Sequence, residues 1–156
     1  MFYQWRTTSV KTARLLILLI SIAATAAPCF AHHMAVVVSE NNAVSNLNAS
    51  QLGKIFRTEM KKWPDGGDIV VVLHRSSLGE NITLQHLNKM SPAQLQAWSK
   101  QHKDELKFAD SDEDVLSIVQ STPGAVGLVD VRSVNDKIKV LHVDGKLPLE
   151  EGYLSH

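Results

Sequence analysis

Cysteine is almost absent from this chain: among 156 residues there is only Cys29, close to the start. Net charge is absent too, with 16 basic against 16 acidic residues, but the balance hides a segregation. Arg6, Lys11 and Arg14 stand in the first 31 residues, which contain no acid, and the remainder carries 13 basic against 16 acidic residues, a net of −3. A mildly acidic surface offers no electrostatic footprint for nucleic acid. The apolar run 15–22, interrupted only by Ser21, falls short of the roughly 20 residues a spanning helix needs. Catalytic signatures are missing as well. There is no Gly-x-Ser-x-Gly elbow, no phosphate-binding Walker loop and no nucleophile paired with a base, so nothing supports an enzyme.

The start of the chain reads as a secretory signal peptide over 1–31: a cationic n-region, an apolar h-region, and Cys29-Phe30-Ala31 at the cleavage positions. Pro28 stands where a lipidated cysteine would need a small residue before it, which argues against lipid attachment. Cleavage after Ala31 leaves 125 residues without cysteine, enough for one domain with a single core. An exported domain that forgoes disulfides fits a bacterial-type envelope, hence the periplasm, with no stable membrane insertion after cleavage. The expected division is a domain over 32–146 and a loosely held tail over 147–156.

Within the domain, the aliphatic run 35–38 predicts a buried strand. Asn48 with Gln51 predicts a capping box, and Leu47 with Leu52 a hydrophobic staple, for a helix whose inward stripe is Leu52, Ile55 and Phe56. Pro64-Asp65-Gly66-Gly67 is a turn, and 69–73 a second buried strand. Ser77 and Glu80 predict another capping box, on a helix carrying Ile82, Leu84, Leu87 and Met90 inward. Ser91 followed by Pro92 starts a third helix, with Leu95 and Trp98 on one face. Ser111 caps a fourth, with Val115, Ile118 and Val119 as its core stripe, and 125–129 and 138–143 are the last strands. Apolar strands alternating with helices predict an α/β fold, a mostly parallel sheet covered by helices on both faces.

Ile55-Phe56, Trp63-Pro64-Asp65-Gly66, Arg75 and Pro123-Gly124-Ala125-Val126-Gly127, in that order and spacing over about 35–129, resemble the periplasmic phosphate-binding proteins of ABC transporters. The likeness is closer to their short single-domain relatives in the periplasmic-binding-protein-like (PBP-like) domain family. It implies a type II periplasmic-binding fold, here essentially one lobe. It also implies an exported solute-binding-type protein, without cofactor or metal, that takes inorganic phosphate or a similar oxyanion for an ABC-type uptake system and meets an ABC permease or an envelope sensor protein.

The expected ligand contacts are Arg75, Ser76, Ser77 and Gly79. An arginine fork makes two parallel bonds to an oxyanion, and the first N–H groups of a helix lack internal acceptors, so the backbone of Gly79 and Glu80 completes the cradle. The chain departs from the family's Ser-Gly-Thr triplet, having Leu78-Gly79-Glu80 in its place. Glu80 as a capping-box acid would set a like charge at the helix terminus. Two readings therefore stand side by side. In one, the loop binds an anion. In the other, Ser77 only caps a helix, Arg75 pairs with Glu80, and the chain is an envelope sensory or protein-interaction module that keeps the fold without the ligand. The seven histidines show no i, i+4 pair, and the acidic run Asp112-Glu113-Asp114 reads as favourable charge at a helix N-terminus rather than as a cation loop.

Overall fold

The computed structural model describes residues 33–154. The expected signal peptide lies outside the described residues. In chain order the elements are β1 (Met34–Ser39), β2 (Asn46–Leu47), α1 (Ala49–Phe56), β3 (Val70–His74), α2 (Leu78–Asn88), α3 (Pro92–Gln101), β4 (Leu106–Ala109), α4 (Asp112–Ser121), β5 (Ala125–Asp130), β6 (Ile138–Val140) and β7 (His142–Val143). The main sheet has the order β4-β3-β5-β1-β6, and β2 pairs with β7 in a small second sheet. Strand β3 is parallel to β4 and β5, whereas β1 runs antiparallel to β5 and β6. The sheet is thus mostly parallel, with β1 as its one reversed strand.

Alternation along each strand divides the interior. Met34, Val36 and Val38 of β1 enter one core with Val126 and Leu128 of β5, while Ala35 and Val37 enter the other with Ala125 and Val129. The first core is closed by Leu52, Ile55 and Phe56 of α1, Leu84 of α2 and Leu95 of α3. The second is closed by Val115, Leu116 and Val119 of α4. Both faces of the sheet are covered, which is why its strands read as continuous apolar runs.

The Asn48–Gln51 box forms in both directions, at 2.8 and 3.0 Å, and Leu47 and Leu52 share one core as a staple requires. On α2, Leu84 is buried and Leu87 and, just past the helix, Met90 pack against the first core as expected, whereas Ile82 does not. Ile82 is 39 % exposed, and the buried side chains of the helix are Glu80, Thr83 and Leu84. On α4, Leu116 rather than Ile118 completes the buried stripe. The run 138–143 divides into β6 and β7, and the short strands β2 and β4 lack a sequence signal of their own because each spans a single alternation or less.

Two glycines explain a motif. At Gly127 an added Cβ would stand 2.7 Å from Val115 Cγ1, so the missing side chain lets α4 close on β5. Gly124 has φ +79°, and a Cβ there would meet the Asp68 carbonyl oxygen at 2.0 Å. Trp63, 3 % exposed, donates from Nε1 to the Gly124 carbonyl at 3.0 Å. The Trp-Pro-Asp-Gly turn and the Pro-Gly-Ala-Val-Gly segment, 61 residues apart at that bond, therefore form one joint.

Within the tail, Tyr153 and Leu154 are packed rather than loosely held. Tyr153 and Leu154 are 5 % and 7 % exposed and belong to the first core. The Tyr153 hydroxyl donates to the Leu141 carbonyl at 2.7 Å and accepts from Val36 N–H at 3.1 Å. Burial pushes its pKa up to about 12, against the smaller opposing effect of the Val36 bond.

Tyr153→Phe is expected to lower the unfolding free energy by about 1–3 kcal/mol, because two buried backbone groups lose their partner. Gly127→Ala should cost about 1–3 kcal/mol through overpacking against Val115. Urea denaturation of each variant measures both, and a loss below about 0.5 kcal/mol would count against either assignment.

Candidate functional site

Strands β3, β4 and β5 are parallel, so their carboxyl ends lie on one edge of the sheet, where open α/β sheets place ligand crevices. Arg75 follows β3 directly. Its backbone N–H donates to the Ala109 carbonyl at 3.0 Å, which continues the β3–β4 ladder by one rung and fixes where the side chain departs. The guanidinium carbon sits 5.4 Å above the Phe108 ring, and Nη1 lies 3.5 Å from Asp110 Oδ1. Both side chains are mostly exposed, at 61 % and 74 %, so this is a weak contact that a better anion can displace.

The other expected contacts divide. Ser76 is exposed at the tip of the loop. Ser77 is the N-cap of α2, and its Oγ accepts from Glu80 N–H at 3.1 Å. That bond removes Glu80 N–H from any cradle. Gly79 is buried in the first turn of α2.

Glu80 departs most from expectation. Its carboxyl does not return to Ser77 N–H as a capping box demands; both oxygens instead accept from His74 N–H, at 3.0 and 3.2 Å. The residue is 1 % exposed. Burial holds its pKa well above the ordinary carboxylate value, the His74 bond opposes this, and the neighbouring Asp112 adds to it. The neutral acid is thus favoured where a charge facing the ligand was expected. Arg75 pairs with Asp110 and not with Glu80. His74 Nδ1 is buried and has no hydrogen-bond partner among the described residues.

The N-terminus of α4 closes the edge. Ser111 Oγ accepts from Asp114 N–H at 3.1 Å, while Asp112 Oδ2 accepts from Asp130 N–H at 3.0 Å and from Ser133 Oγ–H at 2.6 Å. Asp112 therefore binds the end of β5 and the following turn to the start of α4. Sequence reasoning assigned it only a helix-dipole role. The cue it missed is long-range, because Asp130 and Ser133 lie 18 and 21 residues further on.

Residues 21–152 match the family model described as a PBP superfamily domain. The chain belongs to that family. Solved structures similar to this PBP domain include one from Clostridium perfringens with bound phosphate, assigned to the phosphate ABC transporter substrate-binding proteins, at 24 % identity and a TM-score of 0.60. They also include an ABC-type phosphate transport receptor from Vibrio cholerae (20 %, TM-score 0.60) and PstS from Borrelia burgdorferi (20 %, TM-score 0.62). The matches cover 72 %, 74 % and 78 % of this chain but 45 %, 48 % and 53 % of theirs. The chain thus spans about half the length of these structures, and at such identities the likeness is one of fold. Among the described residues no helix is long and apolar enough to cross a membrane.

The buried Glu80 carboxyl makes a pH prediction. A raised folded-state pKa means that its contribution to stability is fully present below the unfolded value near 4.5 and is lost as pH rises towards the folded value. Urea midpoints of the native protein should therefore fall, relative to those of Glu80→Gln, as pH increases from 4.5. Parallel pH profiles of the two proteins would rule out a buried, proton-holding Glu80.

Proposed function

We propose that this PBP domain is an exported, non-catalytic solute-binding-type protein that takes phosphate or a related oxyanion at the loop between β3 and α2, for an ABC-type uptake system. Arg75 is the charged contact, the hydroxyls of Ser76 and Ser77 and the backbone of Gly79 supply further donors, and the start of α2 adds its dipole. One observation carries the reading. Glu80, the acid that stood in the way of an anion, is turned from the loop onto His74 N–H and buried there, while Arg75 remains exposed beside a single displaceable carboxylate.

A second reading, an envelope sensory or interaction module on the same fold, is favoured by two exposed apolar side chains on α2 beside the loop, Leu78 at 62 % and Ile82 at 39 %. Such a surface suits a protein partner better than an ion.

Calorimetric titration of the purified, ligand-free protein with phosphate, sulfate and molybdate separates the two. Micromolar or tighter binding of one anion, weakened about 10-fold or more in Arg75→Ala, is expected for loss of a charge-assisted bond pair. No heat with any of the three would leave the interaction module as the better account.

A further inference from the structure

Two cavities meet at Arg75. The first, about 390 Å³, lies between α2 and α3 and reaches down to Leu73 and Glu80. The second, about 480 Å³, is lined by Arg75, Gln96, Ser99, Lys100, Lys103 and Phe108. Arg75, Gln96, Ser99 and Phe108 border both, so the two are one continuous groove between α3 and β4, the edge strand of the sheet.

Its outer part is built from a recurring spacing. Gln96, Ser99 with Lys100, and Lys103 are three and four residues apart, which puts them on one face of α3 and its C-terminal continuation, over a length of about 10 Å. The Phe108 ring lies beneath the Arg75 guanidinium. The charges in this part, Arg75, Lys100 and Lys103, are all positive, against the acidic trend of the domain. Among the described residues neither lysine has an ion-pair partner; Lys61 and Lys62, by contrast, are both paired. A helix dipole favours cations at the end of α3. It does not account for Arg75, which arrives from a different element and faces the same groove.

A single tetrahedral oxyanion satisfies Arg75 and leaves the lysine row unused. We propose that the groove takes a condensed phosphate, an anion of several linked phosphoryl groups, with a terminal phosphoryl on Arg75 and the remainder along Lys100 and Lys103. The proposal rests on the reading that Arg75 takes an oxyanion, and it extends that site away from the acidic start of α4. Asp110 competes for Arg75 only through its exposed contact.

Calorimetric titration of the full chain with orthophosphate, pyrophosphate and tripolyphosphate tests it, at about 0.15 M ionic strength so that unspecific attraction is screened. Affinity is expected to rise with each added phosphoryl group, with tripolyphosphate about 10-fold tighter than orthophosphate, as two further exposed charge contacts allow. The double variant Lys100→Gln/Lys103→Gln should bring tripolyphosphate back to the affinity of orthophosphate, and Arg75→Ala should weaken all three. Orthophosphate binding with no gain along the series overturns the groove proposal and leaves the Arg75 site standing. Tight tripolyphosphate binding that survives the double lysine variant overturns it as well, and no binding of any of the three overturns both.

Discussion

The close approach of α4 to β5 at Gly127 is the contact on which the rest of the architecture depends. Strand β5 joins the parallel part of the sheet to the reversed strand β1, and it is buried on both faces. Among the described residues α4 is the one α-helix in the second core, and it packs there only because β5 has no side chain where Val115 presses on it. The same strand is anchored at its start by the Trp63 bond to Gly124 and held at its end by Asp112 on the backbone of Asp130. One strand thus sets the helix that carries Asp112 and is capped by Ser111, and with it one wall of the edge where the parallel strands end.

That edge is an unusual electrostatic compromise. Two helix N-termini, those of α2 and α4, point to the carboxyl ends of parallel strands, an arrangement suited to anions. Yet each is served from within the chain: Ser77 and Ser111 cap the first turns, and the Asp112 side chain is taken up by the backbone of Asp130. Glu80 is a second acid close by, and the cost of desolvating its carboxylate raises its pKa. The cationic side of the edge has no such internal acid in its lining: Arg75 lies over Phe108 and shares a cavity with Lys100 and Lys103.

Legibility differed with the range of the interaction. The Asn48–Gln51 box, the Ser91 and Ser111 caps and the Pro64–Gly67 turn are local hydrogen-bond patterns, and each formed as the spacing predicts. The Ser77–Glu80 pair has the same spacing and failed as a box, because His74 N–H at the strand end gave the carboxylate a buried partner. With Glu80 inward, Thr83, Leu84 and Leu87 follow on the same face three, four and seven residues on, and Ile82 is left partly exposed. Strand β4 was missed because Leu106–Ala109 is too short to show a period, yet it supplies the Phe108 ring under Arg75 and the carbonyl that fixes the loop. The tail read as loose because it is a chain terminus, and only the buried pairing of Tyr153 with Val36 and Leu141 shows why that part of it is packed.

By itself the sequence determined the class of fold, the helix starts and the turn glycines, since apolar runs, capping residues and positive-φ positions act over a few residues. It also placed Arg75 at the exit of a strand. Tertiary structure decided which acid faces that arginine, which acid is buried and has its pKa raised, which α2 residues enter the core, and which cations share its groove. Each of those outcomes depends on burial and on partners far along the chain, and desolvation, unlike residue spacing, comes into being only when distant segments pack together.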